Sequence, residues 1–336
     1  MDNVTEQDAV ERPAAEEHRD SPFPDEPVRH VPIESHAVGD PGRASSRVVP
    51  VPDPANWDRR DTVLDGFTLL AGPKQPVVEV RAASVRGLAH RHYGRVRQDE
   101  YGFRRTRDGR YFVVAVADGV SAGTHSHLAA NIAARQGVDR LARALETTEP
   151  DRIPWGGFLR FVAESVELKG RGLLARRKPG SAQPDVREVA ELLATTVLYA
   201  VVDLVPVDGA HTVHLVSIGD TSAWVLRAGG RWEPQAAVKN EGAELYSGSV
   251  RALPLPPPSE PSVVRTTVVP GEALVLMTDG VGDPLGRGTG EVGRFFAEQW
   301  ADAPASALEF AAQIGFARRS FDDDRTAVAL WPVALP

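Results

Sequence analysis

The stretch Tyr111-Phe-Val-Val-Ala-Val-Ala-Asp118-Gly119 decides how this chain is read. It runs β-favouring apolar residues straight into a carboxylate and a glycine, and it predicts a strand over Tyr111–Asp118. Within Val113–Val116 both alternating faces are apolar, and a sheet apolar on both faces is covered on both. Asp is a poor strand residue, and beside an apolar strand its carboxylate faces desolvation. By strand parity Asp118 shares a face with Val114 and Val116, so it stands at the rim of a buried surface.

Working outward, a second segment repeats the pattern. Ala273–Thr278 predicts a strand, with both faces apolar over Leu274–Met277, and ends in Asp279-Gly280; parity puts Asp279 with Val275 and Met277. A third reverses the order: Asp322-Asp323-Asp324-Arg-Thr326 leads into Ala-Val-Ala-Leu-Trp331. If these rims converge, like charges about 4 Å apart repel by roughly 1 kcal/mol in water and more near a protein surface. Divalent cations remove that repulsion, and an all-oxygen ligand set selects Mg²⁺ or Mn²⁺ over zinc. Gly after Asp lets the backbone approach closely enough for a carbonyl to join the ligands. The competing reading, that Asp-Gly only makes turns, suits a single pair better than two matched strand ends and a triple Asp.

Further strands are predicted over Val78–Val85, Ala194–Val202, Thr212–Ile218, Ser222–Leu226, Val263–Val269 and Thr326–Pro332, with Gly229-Gly230 marking a turn. Helical spacing predicts His125–Leu145, Phe158–Leu174 and Phe295–Phe316 as helices. The helices are too few and too clustered for a repeating strand-helix pattern, so the class is α+β: two stacked, mostly antiparallel sheets with helices outside.

Residues 1–50 hold eleven acidic and five basic residues, most of the chain's formal charge of −8. Residues 1–55 are poor in large apolar side chains and rich in Pro, Glu, Asp and Ser, so they are expected to be a disordered acidic, Pro-rich tail. Residues 56–78 are expected to be a lead-in packed on the domain edge, and 79–336 the globular domain. The acidic balance does not suggest a nucleic-acid partner. There is no cysteine, which excludes disulfides, thiolate metal sites and a cysteinyl-phosphate route. The first twenty residues lack a basic start and an apolar stretch, and no long apolar run occurs, so no leader and no membrane insertion are expected and the default location is the cytoplasm.

On these residues the sequence resembles the metal-dependent protein phosphatase family, the type 2C serine/threonine phosphatases, in its bacterial branch. Arg97-Gln98-Asp99 resembles the early acidic motif, Val116-Ala-Asp118-Gly119-Val the first metal motif, and Ala194-Thr195-Thr196 the small-Thr-Thr strand. Ile218-Gly219-Asp220-Thr-Ser resembles the Gly-Asp-Ser-Arg hairpin, Thr278-Asp279-Gly280-Val-Gly-Asp283 the second metal motif, and Asp323-Asp324-Arg-Thr326 the closing Asp-Asn-x-Thr. The match spans about residues 80–333, and six motifs in family order make it specific.

The resemblance implies a four-layer αββα sandwich and hydrolysis of phosphoserine and phosphothreonine in proteins, with substrates from a bacterial Ser/Thr kinase system. It implies two Mn²⁺ or Mg²⁺ ions, with acids to spare for a third. Asp118 would bridge the ions, with the Gly119 carbonyl, Asp279 and Asp323 as the other direct ligands. Asp99 would hold coordinated water, Asp283 and Asp324 would stand behind the ligands or serve a third ion, and Glu191 is a further candidate there. Two cations acidify a shared water, whose hydroxide attacks phosphorus in line. The family's phosphate-binding Arg falls on Gly94, leaving Arg91 or Arg97 for that role. Val120 stands where some members carry a general-acid His; His90, His92, His125 and His127 lie nearby. Ser222 replaces an Arg of the hairpin, and Lys239–Pro258 resembles the family's mobile flap. The alternative class is a pseudophosphatase that binds phosphoproteins without turnover, whose mark would be loss of a metal carboxylate; none of the three is lost.

Overall fold

The computed structural model describes residues 36–40, 60–71, 75–177, 182–236, 251–257 and 259–334, all within one compact unit. Among the described residues eleven strands form two wholly antiparallel sheets. The first holds β1 (Thr62–Ala71), β2 (Gln75–Val85), β11 (Arg325–Pro332), β10 (Ala273–Met277), β7 (Ser222–Arg227) and β8 (Arg231–Ala236), adjacent in that order. The second runs β3 (Glu100–Arg105), β4 (Tyr111–Gly119), β5 (Thr195–Asp203), β6 (His211–Ile218) and β9 (Val263–Val268).

The alternation of each central strand sorts its side chains into two cores. Val114 and Val116 of β4 meet Val80, Leu274, Leu276 and Val328 between the sheets. Val113, Ala115 and Ala117 face outward against α3 (Gly137–Leu145) and α4 (Trp155–Arg177), where Leu141, Phe158 and Leu159 are buried. On the other outer face Val275, Met277, Ala327 and Ala329 pack on α6 (Asp279–Leu285), α7 (Glu291–Gln299) and α8 (Ala307–Ile314) through Phe296, Trp300 and Phe310. Each such fully buried side chain stabilises the fold by about 1.5–3 kcal/mol before ordering costs. The result is the four-layer α+β sandwich expected from apolar-on-both-faces strands. α1 (Leu88–His92), α2 (Ser126–Asn131) and α5 (Val186–Leu192) complete the α-helices among the described residues, and a π-helical turn, Ile132–Gln136, joins α2 to α3.

Several expectations are corrected. Ser222 does not close a hairpin with the strand before it: β6 and β7 lie in different sheets, and Gly219 to Thr221 carry the chain from one to the other. Gly219 has φ +94°, and a Cβ there would stand 2.3 Å from the Thr196 side chain, so the crossing needs glycine. Phe295–Phe316 is not one helix: α7 stops at Gln299, Pro304 lacks the N–H a helix would use, and Ser306 caps α8 by accepting from the Glu309 N–H at 3.1 Å. The sheet also begins before residue 79. β1 is an edge strand that turns Val63, Phe67 and Leu69 inward, while Asp65-Gly66 breaks its apolar pattern in sequence.

The expected disordered tail falls mostly outside the described residues. Its described part, 36–40, is attached to the domain: Val38 N–H donates to the Ala317 carbonyl at 3.1 Å, Ala317 N–H donates to that of His36 at 2.9 Å, and Val38 is buried in the outer core. No helix among the described residues is long and apolar enough to cross a membrane.

Candidate functional site

Four separated segments bring aspartates to one end of the sandwich. Asp118 is the last residue but one of β4, opposite Thr196 of β5, and Asp99 immediately precedes β3. Asp279 opens α6 just after β10, and Asp323 lies two residues before β11. The parity reading of Asp279 is corrected here. The strand stops at Met277, Thr278 takes the N-cap position, and Asp279 is in the first helical turn, where a carboxylate complements the helix dipole. Thr278 does not cap with its own side chain because its hydroxyl donates to Asp99 Oδ2 at 2.8 Å.

Three glycines let these segments close on one another. A Cβ on Gly119 would stand 2.7 Å from the Gln98 carbonyl oxygen. One on Gly280 would reach the Asp324 carbonyl oxygen at 1.9 Å, and one on Gly87 the Asp323 carbonyl carbon at 2.2 Å. In both Asp-Gly pairs the glycine is needed for a neighbouring chain segment to pass, which a simple turn does not require.

The carboxylates feel one another. Asp118 is held well above its ordinary value by burial first, then by the charges of Asp99, Asp279 and Asp323, and it lies within hydrogen-bond reach of Asp279. Asp99 is raised well above it by burial and by Asp324 and Asp323. Asp323 is raised by burial and then by Asp324, although its side chain is half exposed. Such a set is under-neutralised by the protein alone, and its oxygens are the donors a hard divalent cation takes.

The sign of the pH dependence follows. A carboxylate whose pKa is higher folded than unfolded keeps a proton on folding, so these groups destabilise the metal-free protein at neutral pH, and the penalty fades as pH falls through their raised values. Bound cations compete with the same protons. Lowering pH from about 7.5 to 5.5 should therefore shrink the rise in melting temperature given by Mn²⁺. An equal Mn²⁺-induced rise at both pH values would contradict this.

Asp324 has a different part from Asp323. It is buried; its carboxylate accepts from the N–H of Gly87 at 2.7 Å and of Gln98 at 2.5 Å, and His90 Nδ1 lies 2.9 Å away. It thereby ties α1, the approach to β3 and the approach to β11 together. Burial lowers the His90 pKa, but Asp324 and Asp323 outweigh it and the net shift is upward. His90, Asp323 and Asp324 could offer ligand atoms within 4.8 Å of one another.

The other candidates separate clearly. Arg97 is fully buried, and its guanidinium donates to Ser84 Oγ and to the carbonyls of Asp99 and Arg60. With its donors committed inward, it braces the site and is not presented to a phosphate. Arg91, on α1, lines a cavity together with Asp323, and its Nε is buried without a hydrogen-bond partner among the described residues. Arg86 lines the same cavity and pairs with Asp61 at 2.9 Å; sequence reasoning missed it, and only its position at the end of β2 marked it. Asp283 is exposed on α6, four residues after Asp279 and so on the same helix face. Glu191 is exposed on α5. His92 is exposed and His125 half-buried, while His90 and His127 are buried. Residues 239–250 and 258 of the expected flap lie outside the described residues. Of the rest, Leu253 is pinned to β5 by reciprocal backbone hydrogen bonds with Thr195 at 2.9 and 3.0 Å.

The family model described as "Protein phosphatase 2C" matches residues 86–310, about two-thirds of the chain. The chain belongs to the protein phosphatase 2C family. That match takes in Asp99, Asp118 and Asp279 and ends before β11, so the assignment of Asp323 stands on the closing motif and the geometry above. No curated protein matches the chain. Similar solved structures include the catalytic domain of the serine/threonine protein phosphatase PstP in complex with two manganese ions, at 17% identity over 77% of this chain and 99% of that one, TM-score 0.48. The Mycobacterium tuberculosis serine/threonine phosphatase PstP/Ppp is 19% identical over 76% of this chain and 98% of that one, TM-score 0.46. Staphylococcus aureus Stp1 is 13% identical over 86% and 100%, TM-score 0.45. Likenesses at this level carry no inference about the chemistry of this chain.

Proposed function

We propose that this protein phosphatase 2C member hydrolyses phosphoserine and phosphothreonine in proteins with the help of two Mn²⁺ or Mg²⁺ ions. The observation that carries the reading is the aspartate cluster: Asp99, Asp118, Asp279 and Asp323 come from four segments, and Asp118 is raised by the charges of the other three. A partly buried like-charge cluster held together by three close-packed glycines and a buried Arg is costly unless something neutralises it.

In this reading Asp118, the Gly119 carbonyl, Asp279 and Asp323 would hold the ions, and Asp99 would stand behind them as a hydrogen-bond acceptor. Bound, the cations would supply Lewis acidity, making water a nucleophile near neutral pH and screening phosphoryl charge. The chain's own residues do the rest. Thr278 orients the Asp99 carboxylate by donating to one of its oxygens, and the Thr326 side chain also hydrogen-bonds it. Asp324 holds Gly87 and Gln98 and so sets the backbone on which Asp323 stands. Arg91 is the guanidinium left to orient the phosphoryl oxygens. The natural partner is a phosphorylated protein from a bacterial Ser/Thr kinase system, met in the cytoplasm.

Phosphate release from a phosphoserine peptide tests this. The purified chain should be active with added Mn²⁺ and inactive in excess EDTA, and activity should return with Mn²⁺. Full activity in chelator would overturn the reading, and no turnover with any divalent cation would favour the pseudophosphatase.

A further inference from the structure

The cavity shared by Arg91 and Asp323 has a volume of about 420 Å³, within the roughly 300–1,000 Å³ typical of ligand sites. Its far walls are apolar: Leu308 and Ala312 from α8, and Phe316 and Phe321 from the segment leading to β11. An opening of this size can take a ligand side chain with a matching face. Leu308 is 55% exposed on it, although the rest of α8 is well packed.

The wall is braced from behind. The Arg325 guanidinium stacks on the Phe316 ring with its carbon 4.0 Å from the ring centroid, and it donates to the carbonyl of Phe321 at 2.7 Å. Burial pulls its pKa down to about 10, so it is charged at neutral pH, but its donors point into the wall. The cavity thus has a braced apolar wall, and its polar lining includes Arg91 and Asp323 together with Arg86, His36 and Thr62. Asp323 belongs to the aspartate cluster as well, so the cavity adjoins the place where a phosphate on the cluster would lie.

We propose that this cavity is a substrate-specificity subsite that takes an apolar side chain, of leucine or phenylalanine size, from the phosphoprotein segment beside the phosphorylated residue. This rests on the function proposed above. The side chain would come from within about three residues of the phosphoserine, since extended chain covers roughly 10 Å in that span.

The test walks a leucine through the three positions on either side of phosphoserine in an otherwise glycine-alanine peptide. With the full chain and Mn²⁺, one position should raise kcat/KM roughly tenfold or more over glycine, chiefly through KM. Ala312→Trp, which fills the cavity, should erase that preference and leave hydrolysis of a small phosphate ester unchanged. Leu308→Asp, at an exposed position that folding tolerates, should do the same. The same peptides are also compared by fluorescence-anisotropy binding, which reads the subsite even if turnover fails and so separates the two ideas. A flat leucine walk in both assays, or a preference that survives in both variants, would overturn the subsite.

Discussion

Asp118→Asn should lower turnover on a phosphopeptide by roughly 10³-fold or more, the several kcal/mol that paired cations supply to the transition state. The amide keeps the size of the side chain and removes the charge that serves both ions. The metal-free domain should remain folded and melt at the same temperature or slightly higher, because Asp118 is raised by burial and by Asp99, Asp279 and Asp323, and that repulsion is relieved. The rise in melting temperature on adding Mn²⁺ should shrink, since it reports binding to the folded state. If Asp118 merely made a turn, Asn would serve as well and catalysis would survive. Near-normal activity with an undiminished metal-induced rise would refute the role given to Asp118.

The second large effect concerns a residue with no side chain. Gly280 is buried in α6, where alanine would normally add about 0.5–1 kcal/mol of helix stability. Here a Cβ would stand 1.9 Å from the Asp324 carbonyl oxygen, a backbone atom that no rotamer can move aside. Overpacking of this kind costs about 1–3 kcal/mol and occasionally more, so Gly280→Ala should destabilise the protein. It should also weaken Mn²⁺ binding, because the displaced backbone carries Asp323. Gly172, exposed on α4 with nothing within 4 Å of a built Cβ, is the control, and Gly172→Ala should be neutral or stabilising. Melting curves of the two variants would decide it; equal effects would mean that the close approach at Gly280 has no energetic weight.

The central strands were legible in sequence because they are buried on both faces: Tyr111–Asp118 and Thr326–Pro332 differ from β4 and β11 by one residue at one end. What was missed lies at edges. β3 carries Arg104 and Arg105 and shows only Tyr101 and Phe103 as its inward pair, and β1 is interrupted by Asp65-Gly66. On β3 the residues opposite that pair are Glu100, Gly102 and Arg104, so an apolar period alone could not find these strands. The acids were visible because carboxylates next to apolar strands are anomalous in themselves. The roles of the arginines were not. Arg97 looked available for phosphate, yet its donors are committed to Ser84, Asp99 and Arg60, partners that only the tertiary fold brings together. The division between Asp323 and Asp324 was likewise invisible, since adjacent residues of one type are told apart here by burial and by which backbone N–H groups face them.

The most direct measurement is diffraction from crystals grown with Mn²⁺, collected at the manganese absorption edge. The account predicts two anomalous peaks bounded by Asp118, Asp279 and Asp323, with Asp118 contacting both, and loss of both peaks in Asp118→Asn crystals grown the same way. Peaks absent from that end of the sandwich at saturating Mn²⁺, or unchanged in the variant, would contradict it.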